Sequence, residues 1–336
     1  MIDFRWILLP VPAALLLAGC SSTPEVVKTA DSVPISASMH TVTPPSGSRL
    51  PISTVFKGEG RYQALMSRAE RENWRRLPLG TRTAKFGQAM LGVPYINYSL
   101  EVDDRIESPV VNLNGMDCWT FYENALGMAR LLRYKPAPYS KQDLLHMVEL
   151  ERYRKGRCTG NYLSRMHHLE EVFHDNQRRG LSTNITRSLP GSVRLKREIR
   201  EMTVQWKSYR YLRSNPSLIP KIGSVEKQVS RLPVYHVPKS KVRSVEHLLQ
   251  DGDICAITST WKYGYTSHVG LIVKKGGRAR FMHATSERSK GRRMILDVPI
   301  TDYLKDSSSR AGIVISRPKE LPPSKLWEQQ MAMARR

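Results

Sequence analysis

The stretch "TSHVGLIVKKGGRARFMHATS", residues 266–286, decides how the chain folds. Apolar and polar residues alternate on either side of Gly276-Gly277, and a Gly-Gly pair suits the positive φ angles of a two-residue turn. The segment therefore predicts a β-hairpin. If Lys275 pairs with Arg278, His268 faces Thr285 and Gly270 faces His283. Side chains alternate along a strand, so His268 and His283 share one face as diagonal neighbours, roughly 7–8 Å apart at the backbone. One imidazole can then orient the other. A slip of one residue would place them on opposite faces.

Around this hairpin the same period of two recurs in "DICAIT" (253–258), "MILDVPI" (294–300) and "AGIVISR" (311–317), which read as short strands. The first half of the chain is different. Residues 61–77, 81–95, 139–155 and 161–179 carry helical spacing, with Gly92 and Pro94 ending the second segment and Gly180 the last. Residues 185–245 show neither period clearly. Helices first and an antiparallel sheet later make an α+β fold.

A further helix is predicted from "MDCWTFYENALGMARLL", residues 116–132. Asp117 is a good N-cap, and Trp119, Tyr122, Ala125, Leu126 and Ala129 then recur on one face. Cys118 falls in the first turn, where unpaired backbone N–H groups and the positive end of the helix dipole favour a thiolate. On position alone a buried, inert cysteine is the better fit. A thiol acting as nucleophile needs a base and an orienting group, and His268 and His283 supply both.

The chain has 336 residues and four cysteines. Its first residues read as a targeting segment: a short apolar run, "WILLPVPAALLLAG", ends in "LAGC" at Cys20. This resembles a bacterial lipobox, with a signal peptide over 1–19 and lipid attached to Cys20. Ser21 and Ser22 resemble the sorting pattern for the outer membrane, which points to an envelope protein facing the periplasm. Residues 20–60, rich in Ser, Thr and Pro, read as a flexible tether. The body then runs over 61–320 with an insertion at about 139–245, and 321–336 form a C-terminal tail.

Net charge is +23, and ten Lys or Arg stand against three Glu between Arg194 and Arg231. Such a surface suits anionic partners. An exported lipoprotein meets envelope lipids and wall peptides rather than a genome, so nucleic acid is not expected. Beyond Cys20, the chain keeps Cys118, Cys158 and Cys255, an odd number for an oxidising compartment. A Cys158–Cys255 disulfide and two buried thiols are the alternatives.

Taken together, "MDCWTFYENALGMA", "GDICAITSTWKYGYTSHVGLIV" and "FMHATS" resemble the papain-like NlpC/p60 superfamily of cell-wall cysteine hydrolases. More narrowly they are similar to its N-acetylmuramoyl-L-alanine amidase-like branch. Counterparts of "LGVPYINYSLE" (91–101), "YLSRMHHLEEVFHDN" (162–176) and "YLKDSSSRAGIVISR" (303–317) extend the likeness over about residues 65–318. It implies a papain-like core with the nucleophile at a helix N-terminus packed on an antiparallel sheet. Cys118 falls on the nucleophile, His268 on the base and His283 on the third polar residue. Tyr95 matches a cleft tyrosine. Asp117, Arg165, His167 and Ser267 are further substrate-binding candidates, with a structural role as the alternative for Arg165 and His167. Tyr98-Ser99 departs from the small Gly-Thr pair common there, which narrows the cleft, and Cys255 replaces an aliphatic residue.

The implied reaction is hydrolysis of an amide in peptidoglycan fragments, at the lactyl–L-Ala bond, through a thioester and without cofactor or metal. A zinc site built from His167, His168 and His283 lacks the ligand spacing of such sites. The alternatives are a stem-peptide endopeptidase of the same fold and a non-catalytic peptidoglycan-binding lipoprotein.

Overall fold

A computed structural model describes residues 47–286 and 294–320. The expected signal peptide, Cys20, most of the expected tether and the expected C-terminal tail lie outside the described residues.

The helices are α1 (Ile52–Val55), α2 (Glu59–Arg71), α3 (Leu79–Ala89), α4 (Cys118–Tyr134), α5 (Lys141–Arg152), α6 (Leu169–Arg178), α7 (Glu201–Val204), α8 (Arg210–Ser214), α9 (Ile219–Ser230), α10 (Val242–Val245) and α11 (Ile300–Lys305). The strands are β1 (Phe56–Lys57), β2 (Val111–Asn112), β3 (Ser182–Asn184), β4 (Val193–Arg194), β5 (Tyr235–Pro238), β6 (Ile254–Ser259), β7 (Thr266–Lys275), β8 (Arg278–Ala284), β9 (Ile295–Pro299) and β10 (Arg310–Pro318). The main sheet has the order β4-β5-β10-β6-β7-β8-β9, with β3 also paired to β10, and its pairings are antiparallel. The expected α+β architecture is thus present.

Both faces of the central strands are covered, which explains their near-continuous apolar sequence. Val269, Leu271 and Val273 of β7, with Met282 and Ala284 of β8, pack into the helical layer with α3, α4, α5 and α6. Ile272, Ala279 and Phe281 point the other way, into a second core with Val242, Val245, Ile300, Tyr303 and Leu304. The hairpin register is the expected one: Lys275 pairs with Arg278 and Leu271 with Met282. Gly276 and Gly277 both take positive φ at the turn.

Three expectations change. Order begins before residue 60: Gly47 donates its N–H to Thr159 O, Arg49 pairs with Glu149 at 2.7 Å, and β1 pairs in parallel with β2. Val55 and Phe56 are buried there, so the end of the tether is held by apolar burial that its composition hides. The helix expected over 161–179 is shorter. Asn161 caps a single 3-10 turn, the chain stays extended through His168, and α6 starts at Leu169. The insertion is also narrower than 139–245, because Leu144, Val148, Leu169, Val172 and Phe173 of α5 and α6 belong to the main helical core. What stands apart are small clusters around Met202, Tyr211 and Ile222, and around Ile199 and Val229.

Among the described residues no helix is long and apolar enough to cross a membrane.

Candidate active site

Cys118 is the first residue of α4, as the sequence predicts, and the local chemistry fixes it there. Asp117 Oδ1 accepts from Thr120 N–H at 2.8 Å, and Thr120 Oγ1 accepts from the Asp117 N–H at 3.2 Å, a reciprocal capping box. The other carboxylate oxygen of Asp117 accepts from Ser99 Oγ at 2.5 Å. Asp117 is therefore occupied as a cap, and Ser99 ties the segment carrying Tyr95 to the turn that carries Cys118. Tyr95 bridges in parallel to Met116, and Ile96 donates its N–H to Met116 O. Tyr98 has a left-handed backbone (φ 58°) and is 46% exposed. That conformation costs a non-glycine residue about 1–2 kcal/mol.

The sulfur of Cys118 meets β7 at the backbone N–H of Val269, one residue from His268, and accepts a hydrogen bond from it. Cys118 is only 3% exposed. Burial pushes its thiol up to about 11, with the neighbouring Asp117 charge adding to the rise and the Val269 and Cys118 N–H groups opposing it. The expectation from the helix dipole was a thiolate. Desolvation outweighs the dipole here, so the resting group is a thiol.

His268 and His283 share one face, and His268 Nε2 lies 2.7 Å from His283 Nδ1. Gly270 makes this approach feasible: a Cβ there would come within 2.4 Å of Met282 O and 2.9 Å of His283 Cβ. A bulge helps to aim the pair. His268 pairs with Ile257 but Thr266 with Thr258, so Ser267 is the additional residue. Behind the rings stand Phe281, stacked on His283 at 4.6 Å, and Tyr303, 4.8 Å from His283 and 6.0 Å from His268. The Arg310 guanidinium lies over the Tyr303 ring, 3.6 Å from its centre. Burial first, and then the electrostatic influence of His283 and of the Arg310 guanidinium, hold His268 well below the ordinary imidazole range. It is neutral at pH 7 and able to accept a proton.

Arg165 and His167 lie elsewhere in the same helical half. Arg165 is ion-paired with Glu101 at 3.0 Å and Glu107 at 3.2 Å and lies over the Tyr162 ring. His167 Nε2 contacts Tyr162 O at 3.0 Å, and its ring packs on Tyr162. Both are buried and committed to this network. Beneath Cys118, Trp119 donates to Glu123, which is fully buried against Arg152. Cys158 and Cys255 are buried thiols outside any disulfide. Among the described residues no group of three His, Cys, Asp or Glu is gathered to hold a metal ion.

Sequence reasoning missed Tyr303, Phe281 and Arg310 behind the histidines. Tyr303 and Arg310 lie in the stretch 303–317 and Phe281 on an apolar strand, and neither pattern carries a trace of ring stacking. It also missed the use of the basic insertion: Arg197 donates to the carbonyls of Trp261 (3.0 Å) and Gly264 (2.6 Å), fixing the loop that leads into β7.

A family described as N-acetylmuramoyl-L-alanine amidase-like matches residues 85–313, more than half of the chain. No curated protein matches it. Among solved structures, an N-acetylmuramoyl-L-alanine amidase from Bacteroides uniformis is similar at 27% identity and TM-score 0.64, covering 72% of this chain and 99% of its own. A protein from Bacteroides fragilis described as a putative xylanase follows at 28% identity and TM-score 0.59, covering 69% and 98%. A Legionella pneumophila protein at 17% identity and TM-score 0.58, covering 80% and 97%, shares the fold.

Proposed function

The chain belongs to the N-acetylmuramoyl-L-alanine amidase-like family, and from that premise we propose that it is a cysteine-dependent amidase of peptidoglycan fragments with a papain-like core of the NlpC/p60 type. The observation that supports this reading is the His268 Nε2–His283 Nδ1 contact of 2.7 Å between β7 and β8, next to Val269, whose backbone N–H faces the Cys118 sulfur. In this reading His283 holds Nε2 of His268, and Nδ1 of His268 takes the thiol proton. Cys118 then attacks the amide carbonyl as proton transfer proceeds, and the backbone N–H groups at the start of α4 stabilise the oxyanion. His268 returns the proton to the leaving amine. Water, deprotonated by His268, cleaves the thioester and restores the thiol. Removing one oxyanion donor typically raises such a barrier by about 3–4 kcal/mol.

The favoured bond is lactyl–L-Ala, so the muramyl lactyl group would be the acyl held on sulfur. Ser267 and Tyr95 border the segments that carry His268 and Cys118 and are proposed to contact substrate, with Asp117 acting through the cap. Arg165 and His167 are proposed to support the cleft from behind. Lipid on Cys20 would anchor the protein at the outer membrane facing the periplasm. The basic insertion would face anionic envelope groups.

Digestion of defined muropeptides by wild type and Cys118→Ala, read by mass spectrometry, tests the proposal. A free stem peptide with L-Ala at its N-terminus from wild type alone is the expected product. Cleavage within the stem would replace the bond assignment with an endopeptidase. The buried, proton-bearing sulfur also suits a non-catalytic binder. Binding by both proteins with no cleavage would establish that role instead.

A further inference from the structure

We infer that Tyr98 selects substrate by packing its ring on the N-acetylated pyranose next to the scissile amide. This rests on the amidase reading above for the identity of the sugar.

Tyr98 is the one aromatic among the three non-glycine residues with positive φ in the described chain. It is also the one aromatic among the exposed large apolar side chains of the described residues. A left-handed tyrosine persists only where its surroundings over-determine it, and such outliers cluster at functional sites. Here the determinant is visible on both sides of the residue. Upstream, Met116 N–H donates to Pro94 O at 3.1 Å and Ile96 N–H to Met116 O at 3.1 Å. Downstream, Ser99 Oγ contacts Asp117 Oδ2 at 2.5 Å and Thr120 Oγ1 at 3.1 Å. Residues 94–99 are thus laced to 116–120, the turn that presents Cys118. The lacing buries Ser99 while leaving the neighbouring ring in solvent.

A lactyl carbonyl attacked by Cys118 carries its pyranose only a few bonds away, which brings the sugar within reach of the segment 94–99 laced to this turn. Pyranose faces present C–H groups to an aromatic ring, and tyrosine offers a large contact area at little entropy cost because only two side-chain torsions must be fixed.

Calorimetric binding to the full chain carrying Cys118→Ala tests this, using N-acetylmuramoyl-L-alanyl-D-isoglutamine and D-lactoyl-L-alanyl-D-isoglutamine, which lacks the sugar. The sugar-bearing probe should bind about five- to tenfold tighter, a usual scale for an aromatic contact residue. Adding Tyr98→Gly should abolish that preference and, by relieving the backbone, raise the melting temperature by about 2–4 °C. Tyr98→Phe should keep the preference. No preference for the sugar, no binding of either probe, or a preference that survives Tyr98→Gly would overturn the inference. Turnover separates it from the reading it rests on. Wild type cleaving both probes with a preference untouched by Tyr98→Gly refutes Tyr98 alone. Wild type cleaving neither, with a binding preference that follows Tyr98, refutes the reaction and keeps the contact.

Discussion

At the scale of single residues, the site sets its protonation by burial rather than by the helix dipole. The Cys118 thiol is held at about 11 and His268 well below the ordinary imidazole range, so the pair rests neutral. If His268 is the base, it is deprotonated and competent throughout the range in which an unperturbed imidazole titrates. The acid limb of kcat/KM should therefore lie below pH 6.5. A pH profile with a limb at or above 6.5 would mean that another group is limiting. Weakening the positive surroundings should move the limb upward, and Arg310→Met, which keeps an apolar cover on Tyr303, provides that variant. Cys118 and His268 were both legible in the sequence as residues. Their charge states were not, because desolvation depends on what folds over them.

Elements explain why the residues meet. The β7–β8 register could be read from Gly276-Gly277 and the alternation on either side, since only one pairing keeps the apolar set buried. The diagonal approach of the two imidazoles depends on Gly270, whose missing Cβ leaves room for Met282 O and His283. Gly270→Ala should separate the rings, lowering kcat at least tenfold while also lowering the melting temperature. Circular dichroism confirming a folded variant completes the check. The α4 cap is a second lever. Asp117→Ala removes the acceptor for Thr120 N–H and for Ser99 Oγ, and should cost about 0.5–2 kcal/mol in denaturant unfolding. Its effect on turnover should exceed that of an ordinary cap, because Ser99 and Cys118 lose their common reference. The bulge at Ser267 has no sequence signature beyond a polar residue before His268. Only the pairing of β7 with β6 reveals it.

For the molecule as a whole, several histidines are folded in as neutral groups. Burial holds His168 at about 3 and His236 at about 4, with His167 and His268 also lowered well below the ordinary value. A depressed histidine adds no penalty above about pH 6.5. Below it, the unfolded chain takes up a proton that the folded one refuses, and stability falls by up to about 1.4 kcal/mol per pH unit for each such group. Glu201 acts in the opposite sense. Burial raises its carboxyl to about 8, so the stability that it contributes at low pH is lost as pH rises from about 4.5 to 8. Denaturant melts from pH 5 to 9 should show stability falling on the acid side. His168→Phe should flatten the acid slope and Glu201→Gln the alkaline one. A His168→Phe slope equal to wild type would show that His168 is not kept neutral.

The strand and helix periods, the cap at Asp117 that places Cys118 in the first turn of α4, and the hairpin register that puts His268 and His283 on one face were all legible in the chain's sequence. These are local facts, set by side-chain alternation, turn chemistry and capping within a few residues. Tertiary structure alone decided the burial that makes Cys118 a thiol, and the stack of Phe281, Tyr303 and Arg310 behind the imidazoles. It also decided the commitment of Arg165 to Glu101 and Glu107, and the docking of residues 47–57 on the body. Each depends on partners far apart in the chain, and a buried charge or ring contact leaves no periodic trace in the segments that make it.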